Sequence, residues 1–128
     1  MKRLLLDTHV LLWWLTDDPK LGSKTKKMLI RPSNTVFISA ASIWEMSIKS
    51  TLGQLQIPSD IVTVIDDEGF EQLPVSSFHA HQAGQLKPIH KDPFDRVLIA
   101  QTQAEGLMLV TADTFITQYG IQTLNPHH

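Results

Sequence analysis

Asp7, Glu45, Asp95 and Asp113 are the residues whose types and places in this chain suit chemistry. Asp7 ends the apolar run "RLLLD", and Glu45 lies within "ISAASIWEMSIK". Asp95 lies within "HKDPFDRVLIAQT", and Asp113 stands just past "LMLVT". Carboxylates gathered in a semi-enclosed pocket repel one another, and some must then take up protons. A divalent cation removes that conflict. The chain has no cysteine, so a metal must be held by oxygen or imidazole, and oxygen ligands suit Mg²⁺ or Mn²⁺ over zinc. In a phosphodiester hydrolase such ions polarise the phosphate, lower the pKa of an attacking water and stabilise the leaving oxygen. Spacing does not choose between one ion and two.

Each acid also has a plain structural reading. Aspartate often closes a strand or caps the next helix, which would account for Asp7 and Asp113. "SIWE" fits a capping box in which Ser42 starts a helix and Glu45 bonds back to its backbone. Ser39 is an equally good cap, and a start there would put Glu45 in the second turn. Spacing leaves both open. Asp92 before Pro93 is an N-cap followed by the first helical position that proline prefers. Asp95 then falls third in the helix, where its charge suits either the helix dipole or a cation.

Placing these acids together requires elements that end at one edge. "RLLLD", "TVFIS" and "LMLVT" read as short buried strands, with "FEQLPV" and residues 121–124 as weaker ones. Between them, amphipathic segments predict helices in "HVLLWWLT", "SKTKKMLIR", "SAASIWEMSIKSTLG", "SDIVTVIDDEG" (capped by Ser59 or Asp60), "SSFHAHQAGQL" and from Pro93 to about Glu105. "DTFITQYG" follows the last strong strand. Alternation of this kind predicts an α/β domain with a central, mainly parallel sheet flanked by helices. Such sheets keep their ligands beyond the carboxyl ends of the strands, where Asp7 and Asp113 fall.

With 128 residues, 42% of them apolar, the chain reads as a single domain spanning residues 1–128, with a core large enough to fold without staples. The N-terminal "MKRLLLDTHVLLWWL" has the basic start of a signal peptide, but Asp7 and His9 interrupt it and no cleavage site follows. No apolar stretch is long enough to span a membrane, so the expectation is a cytoplasmic protein without a membrane partner. A net charge of −2 argues against a protein that coats nucleic acid by bulk electrostatics, not against a nucleic-acid enzyme with a small footprint. The final "NPHH" carries no signal of its own and reads as a frayed end.

Several neighbours are open to two readings. His90, Lys91 and Arg96 flank Asp95 and either meet a phosphate backbone or form a solvated face. His9 either touches substrate or is an ordinary exposed histidine. "SKTKK" is a wet helix face before it is an RNA track. Trp44 shares a face with Ala41 and Ile48 and reads as core or dimer contact. One of Trp13 and Trp14 is expected to face outward, because neighbours on a helix point about 100° apart.

Taken together, "LLLDTHVLLWWL", "ISAASIWEMSIK", "HKDPFDRVLIAQT" and "LVTAD" resemble the four acidic motifs of the PIN domain. More narrowly, they resemble VapC-like toxins of bacterial toxin–antitoxin pairs. The likeness runs in order from Lys2 to about Tyr119, and is least informative from Gly53 to Lys87. It implies a small α/β ribonuclease dependent on Mg²⁺ or Mn²⁺, with Asp7, Glu45, Asp95 and Asp113 as metal-binding catalytic residues. Thr8 and Thr111, beside those acids, are expected to hydrogen-bond within the site, and Arg96 to support it. The resemblance also implies an RNA substrate, a homodimer and a cognate antitoxin that covers or disrupts the site. A receiver-type signalling domain is a weaker reading, since "LLLDTH" has one aspartate where that fold wants a pair. A D-x-D phosphatase fails on the same residues, and no glycine-rich nucleotide loop appears. A non-catalytic binding module built on the same fold is the remaining alternative.

Overall fold

The computed structural model describes all residues from Met1 to His128. Its elements run β1 (Arg3–Leu6), α1 (Thr8–Leu15), α2 (Ser23–Ile30), β2 (Thr35–Ser39), α3 (Ala40–Thr51) and α4 (Ile61–Asp67). They continue with β3 (Glu71–Leu73), α5 (Ser77–Gln85), α6 (Pro93–Glu105), β4 (Met108–Val110), α7 (Thr114–Thr117) and β5 (Thr123–Leu124). The strands form one sheet in the order β3-β2-β1-β4-β5, and every pairing in it is parallel.

Central β1 is apolar throughout its interior because both of its faces are covered. Leu4 and Leu6 point into a core with Val10 and Leu11 of α1, Leu29 of α2, Met46 of α3, and Ile61 and Ile65 of α4. Leu5 points the other way, into a smaller core with Leu98 and Ile99 of α6, Leu109 of β4 and Ile116 of α7. The register pairs Leu5 with Phe37 of β2 and with Leu109 of β4. A fully buried leucine contributes roughly 1.5–3 kcal/mol, so this alternation fixes which way Asp7 leaves the sheet.

The helix ends follow their local chemistry. α6 starts at Asp92, whose Oδ1 accepts from the N–H groups of Phe94 at 2.8 Å and Asp95 at 3.1 Å. It stops at Gly106, whose left-handed backbone (φ 64°) closes the last turn on the Thr102 carbonyl. α4 departs from expectation. Asp60 precedes it with φ −107° and ψ 41°, not the extended backbone of a working cap, and its side chain makes no capping bond. The edge strands β3 and β5 are shorter than the runs that predicted them, and short edges leave few ladder groups unpaired.

Two expectations change. Trp13 and Trp14 are both partly buried: Trp13 packs against His127 (5.5 Å between ring centroids) and Trp14 against Phe70 (5.8 Å). Neither is fully exposed, because the C-terminal segment at His127 covers Trp13 and Phe70, just before β3, covers Trp14. The final residues are seated as well. The Pro126 carbonyl accepts from Gly22 N–H at 2.8 Å, and the His128 carbonyl accepts from Thr25 N–H at 3.0 Å. A Cβ at Gly22 would collide with this segment, since it would meet the His128 backbone within 2.5 Å.

Candidate active site

The carboxyl ends of β1, β2 and β4 deliver the site. Asp7 follows β1 and is buried. Its Oδ1 caps α1 by accepting from His9 N–H at 2.7 Å and Val10 N–H at 3.3 Å. Its Oδ2 accepts from the Thr111 hydroxyl at 2.6 Å. Thr111 in turn accepts from the Asp113 N–H at 3.1 Å, so one hydroxyl ties the ends of β1 and β4 together. Asp113 repeats the arrangement: Oδ1 caps α7 through Phe115 N–H at 2.8 Å, and Oδ2 meets His90 Nε2 at 3.0 Å.

The two readings of Glu45 are resolved by where α3 begins. Ser39 is the N-cap, its hydroxyl accepting from Ala41 N–H at 3.0 Å, so Glu45 lies in the second turn and forms no capping box. It is buried; Oε2 accepts from Lys49 Nζ at 3.0 Å, and Oε1 is buried with no partner. A buried carboxylate oxygen left unpaired is costly unless a cation meets it.

Asp95 is third in α6, and its Oδ2 lies 3.0 Å from His90 Nε2. Burial chiefly, then the charges of Asp92, Asp7 and Glu45, push its pKa up from 3.8 to about 7, against the lowering influence of His90. Asp7 is raised as well, by burial, against its hydrogen bond from Thr111. Asp95 therefore feels the charges of both acids from the first half of the chain. Ligand atoms of His90, Asp95 and Asp113 lie within 4.8 Å of one another; Asp7 and Glu45 are near enough to Asp95 for their charges to raise its pKa. An unpartnered buried oxygen and two acids held above their ordinary pKa are the signs of a site shaped for a cation, and the donor set fits a hard divalent ion.

The supporting residues behave differently from one another. Thr8 is buried and donates to the Ser42 hydroxyl at 3.0 Å, linking α1 to α3 without touching a carboxylate. Arg96 contacts no acid. Its guanidinium donates to the carbonyls of Ala83, Leu86, Lys87 and His90 at 2.8–3.1 Å, so its donors hold the 83–90 loop and it acts on the site only through that loop. His9 is exposed, its Nδ1 3.8 Å from Asp7, and Lys91 is exposed. Sequence reasoning passed over Lys49 altogether. The signal was its position four residues after Glu45 on one helix.

An apolar pocket of about 410 Å³ adjoins the start of α3 and α6, lined by Ala41, Trp44, Val75, Phe94 and Val97 among others. Trp44 is 64% exposed and stacks edge-on with Phe94 at 5.2 Å, so it belongs to no core.

A parallel α/β sheet with acidic side chains at its carboxyl edge defines a class of small domain whose chemistry is set by that edge. The chain belongs to the PIN domain family, whose model matches residues 4–121. Solved structures agree on the fold. VapBC2 from Rickettsia felis, bound to a DNA fragment from its promoter, superposes with a TM-score of 0.71 at 17% identity over 96% of this chain and 98% of that one. DNA-bound VapBC from Salmonella typhimurium gives 0.69 at 18% identity over 97% and 98%. The PIN domain endonuclease Utp24 gives 0.55 at 18% identity over 98% and 86%. No curated protein matches the sequence at a significant level.

Proposed function

We propose that this chain is a Mg²⁺- or Mn²⁺-dependent endoribonuclease and the toxin of a toxin–antitoxin pair. The observation that carries the reading is the convergence of acids on Asp95, whose carboxyl is raised to about 7 by burial and by Asp92, Asp7 and Glu45. In this reading Asp7, Glu45, Asp95 and Asp113 hold the cation. When bound, it supplies polarisation of the phosphate and an attacking water of lowered pKa. The chain's own part is positional. Thr111 fixes the Asp7 carboxylate, Ser39 turns Glu45 inward by starting α3 one residue after β2, and Asp92 sets the helix that carries Asp95. Lys49 keeps a positive charge beside Glu45, on the half-exposed side where a phosphate would approach.

The toxin role is supported by likeness in fold to VapBC assemblies; partner binding is supported by the exposed apolar surface. Trp44, Ile48 and Leu52 follow at helical spacing along α3 and are 64%, 37% and 65% exposed. They continue from the pocket beside the acidic site. We assign this surface to a homodimer, and assign the neighbourhood of the site to the antitoxin.

The test is cleavage of a mixed RNA pool with Mg²⁺ or Mn²⁺. Asp95→Asn should lower the rate by about 100-fold or more, at or beyond the upper range seen when the outer partners of metal ligands are changed. Products should carry 5′-phosphate and 3′-hydroxyl ends. A 2′,3′-cyclic phosphate, or cleavage that persists in chelator, would sink the mechanism.

A further inference from the structure

His90 is the one imidazole inside the acidic group, and its surroundings fix which nitrogen carries the proton. Nδ1 faces the Asp92 backbone N–H at 3.3 Å. A backbone amide only donates, so Nδ1 must present its lone pair, and in the neutral ring the proton lies on Nε2. That N–H is hydrogen-bonded to Asp113 Oδ2 at 3.0 Å, and Asp95 Oδ2 lies equally near Nε2, at 3.0 Å.

A histidine that binds metal through Nε2 needs the opposite tautomer, with its lone pair on Nε2 and its other nitrogen donating to an acceptor. The Asp92 amide cannot serve as that acceptor. The backbone of His90 is held in place, which leaves the ring to move by side-chain rotation. His90 N–H donates to the Tyr119 hydroxyl at 2.7 Å, its carbonyl accepts from Arg96 at 3.0 Å, and its face lies against Phe115 with centroids 5.6 Å apart.

We propose that, when no cation is bound, His90 Nε2–H occupies the place between Asp95 and Asp113 that the ion takes, and that the ring withdraws on metal binding instead of ligating. This rests on the metal-site reading above and adds to it a residue that sets how readily the site fills. The neutral ring suffices; no proton need move. His90 is a positioning residue: it satisfies Asp113 by a charge-assisted hydrogen bond and stands 3.0 Å from Asp95, at the expense of metal affinity.

Two measurements on the full chain test this. Imidazole ¹⁵N NMR in chelator, with the His90 signal identified by its loss in His90→Ala, should show the Nε2–H tautomer. Saturating Mg²⁺ should then remove its hydrogen-bonded shift. Calorimetric titration with Mn²⁺ should show His90→Ala binding about tenfold more tightly than wild type, the worth of one hydrogen bond to a charged group. The electron spin echo of the wild-type Mn²⁺ complex should carry no ¹⁴N modulation from a coordinated imidazole. Weaker or unchanged Mn²⁺ binding in His90→Ala, ¹⁴N modulation in wild type, or an Nδ1–H tautomer would each overturn the proposal while leaving the metal site standing. Absence of Mn²⁺ binding in both proteins would remove the metal-site reading and the proposal with it.

Discussion

At the starts of α1 and α7, Asp7 and Asp113 each commit Oδ1 to backbone N–H groups and turn Oδ2 toward Thr111 and His90 respectively. The capping and functional readings of an aspartate are therefore not rivals here, because the cap is what aims the second oxygen. Asp92 lacks that division: it caps α6 and takes no part in the bonds around His90 except through its N–H. Asp92→Ala should cost about 1 kcal/mol of stability, the usual worth of an N-cap, measured by denaturant unfolding. Asp95 behaves in the opposite sense. Its pKa is about 7 folded against 3.8 ordinarily, so the folded state binds the proton more tightly than the unfolded one. Its contribution to stability then falls as pH rises from about 4 to about 7 and stays low above that. In chelator, Asp95→Asn should raise the melting temperature at pH 8 and change it little at pH 4; a variant less stable at pH 8 would refute the assignment. Because Asp95 must shed its proton to hold a cation, Mn²⁺ affinity should also decline as pH drops below about 7.

Among the elements, the loop from α5 to α6 depends on one side chain. Arg96 ties the carbonyls of Ala83, Leu86, Lys87 and His90 to the first turn of α6, and Tyr119 adds bonds to Lys87 and His90. Lysine has no planar fork to span such a set. Arg96→Lys should cost about 1–3 kcal/mol, since it leaves carbonyls unpaired, and amide exchange should quicken first in residues 83–91. Exchange that quickens uniformly would place Arg96 in the general scaffold instead. The role of Arg96 was hidden from sequence because its partners are carbonyls, which no side-chain pattern encodes. The same holds for His90, whose value depends on the orientation of one backbone amide. By contrast α6 was legible from cap to stop, since Asp92, Pro93 and Gly106 are local signals. Glu45 was ambiguous for a local reason too: Ser39 and Ser42 are both competent caps, and only the end of β2 decides between them.

Across the whole molecule, the sheet order β3-β2-β1-β4-β5 places β1 between the two halves of the chain. Asp7 and Glu45 come from one half, and Asp95 and Asp113 from the other. The apolar run of Trp44, Ile48 and Leu52 lies on the outside of this assembly. Trp44→Asp should shift the chain from dimer to monomer in sedimentation velocity at micromolar concentration without unfolding it; equal sedimentation of both proteins would remove the dimer from this face. The bond from Thr111 to Asp7 closes a separation of 104 residues, among the most costly kinds of contact to form early. During synthesis, residues emerge at about 5–20 per second from the N-terminus onward. A nascent chain that has not yet released β4 carries Asp7 without the strand or the hydroxyl that fixes it. The acidic edge therefore cannot be complete before the chain has been made as far as Thr111 and β4 has paired with β1.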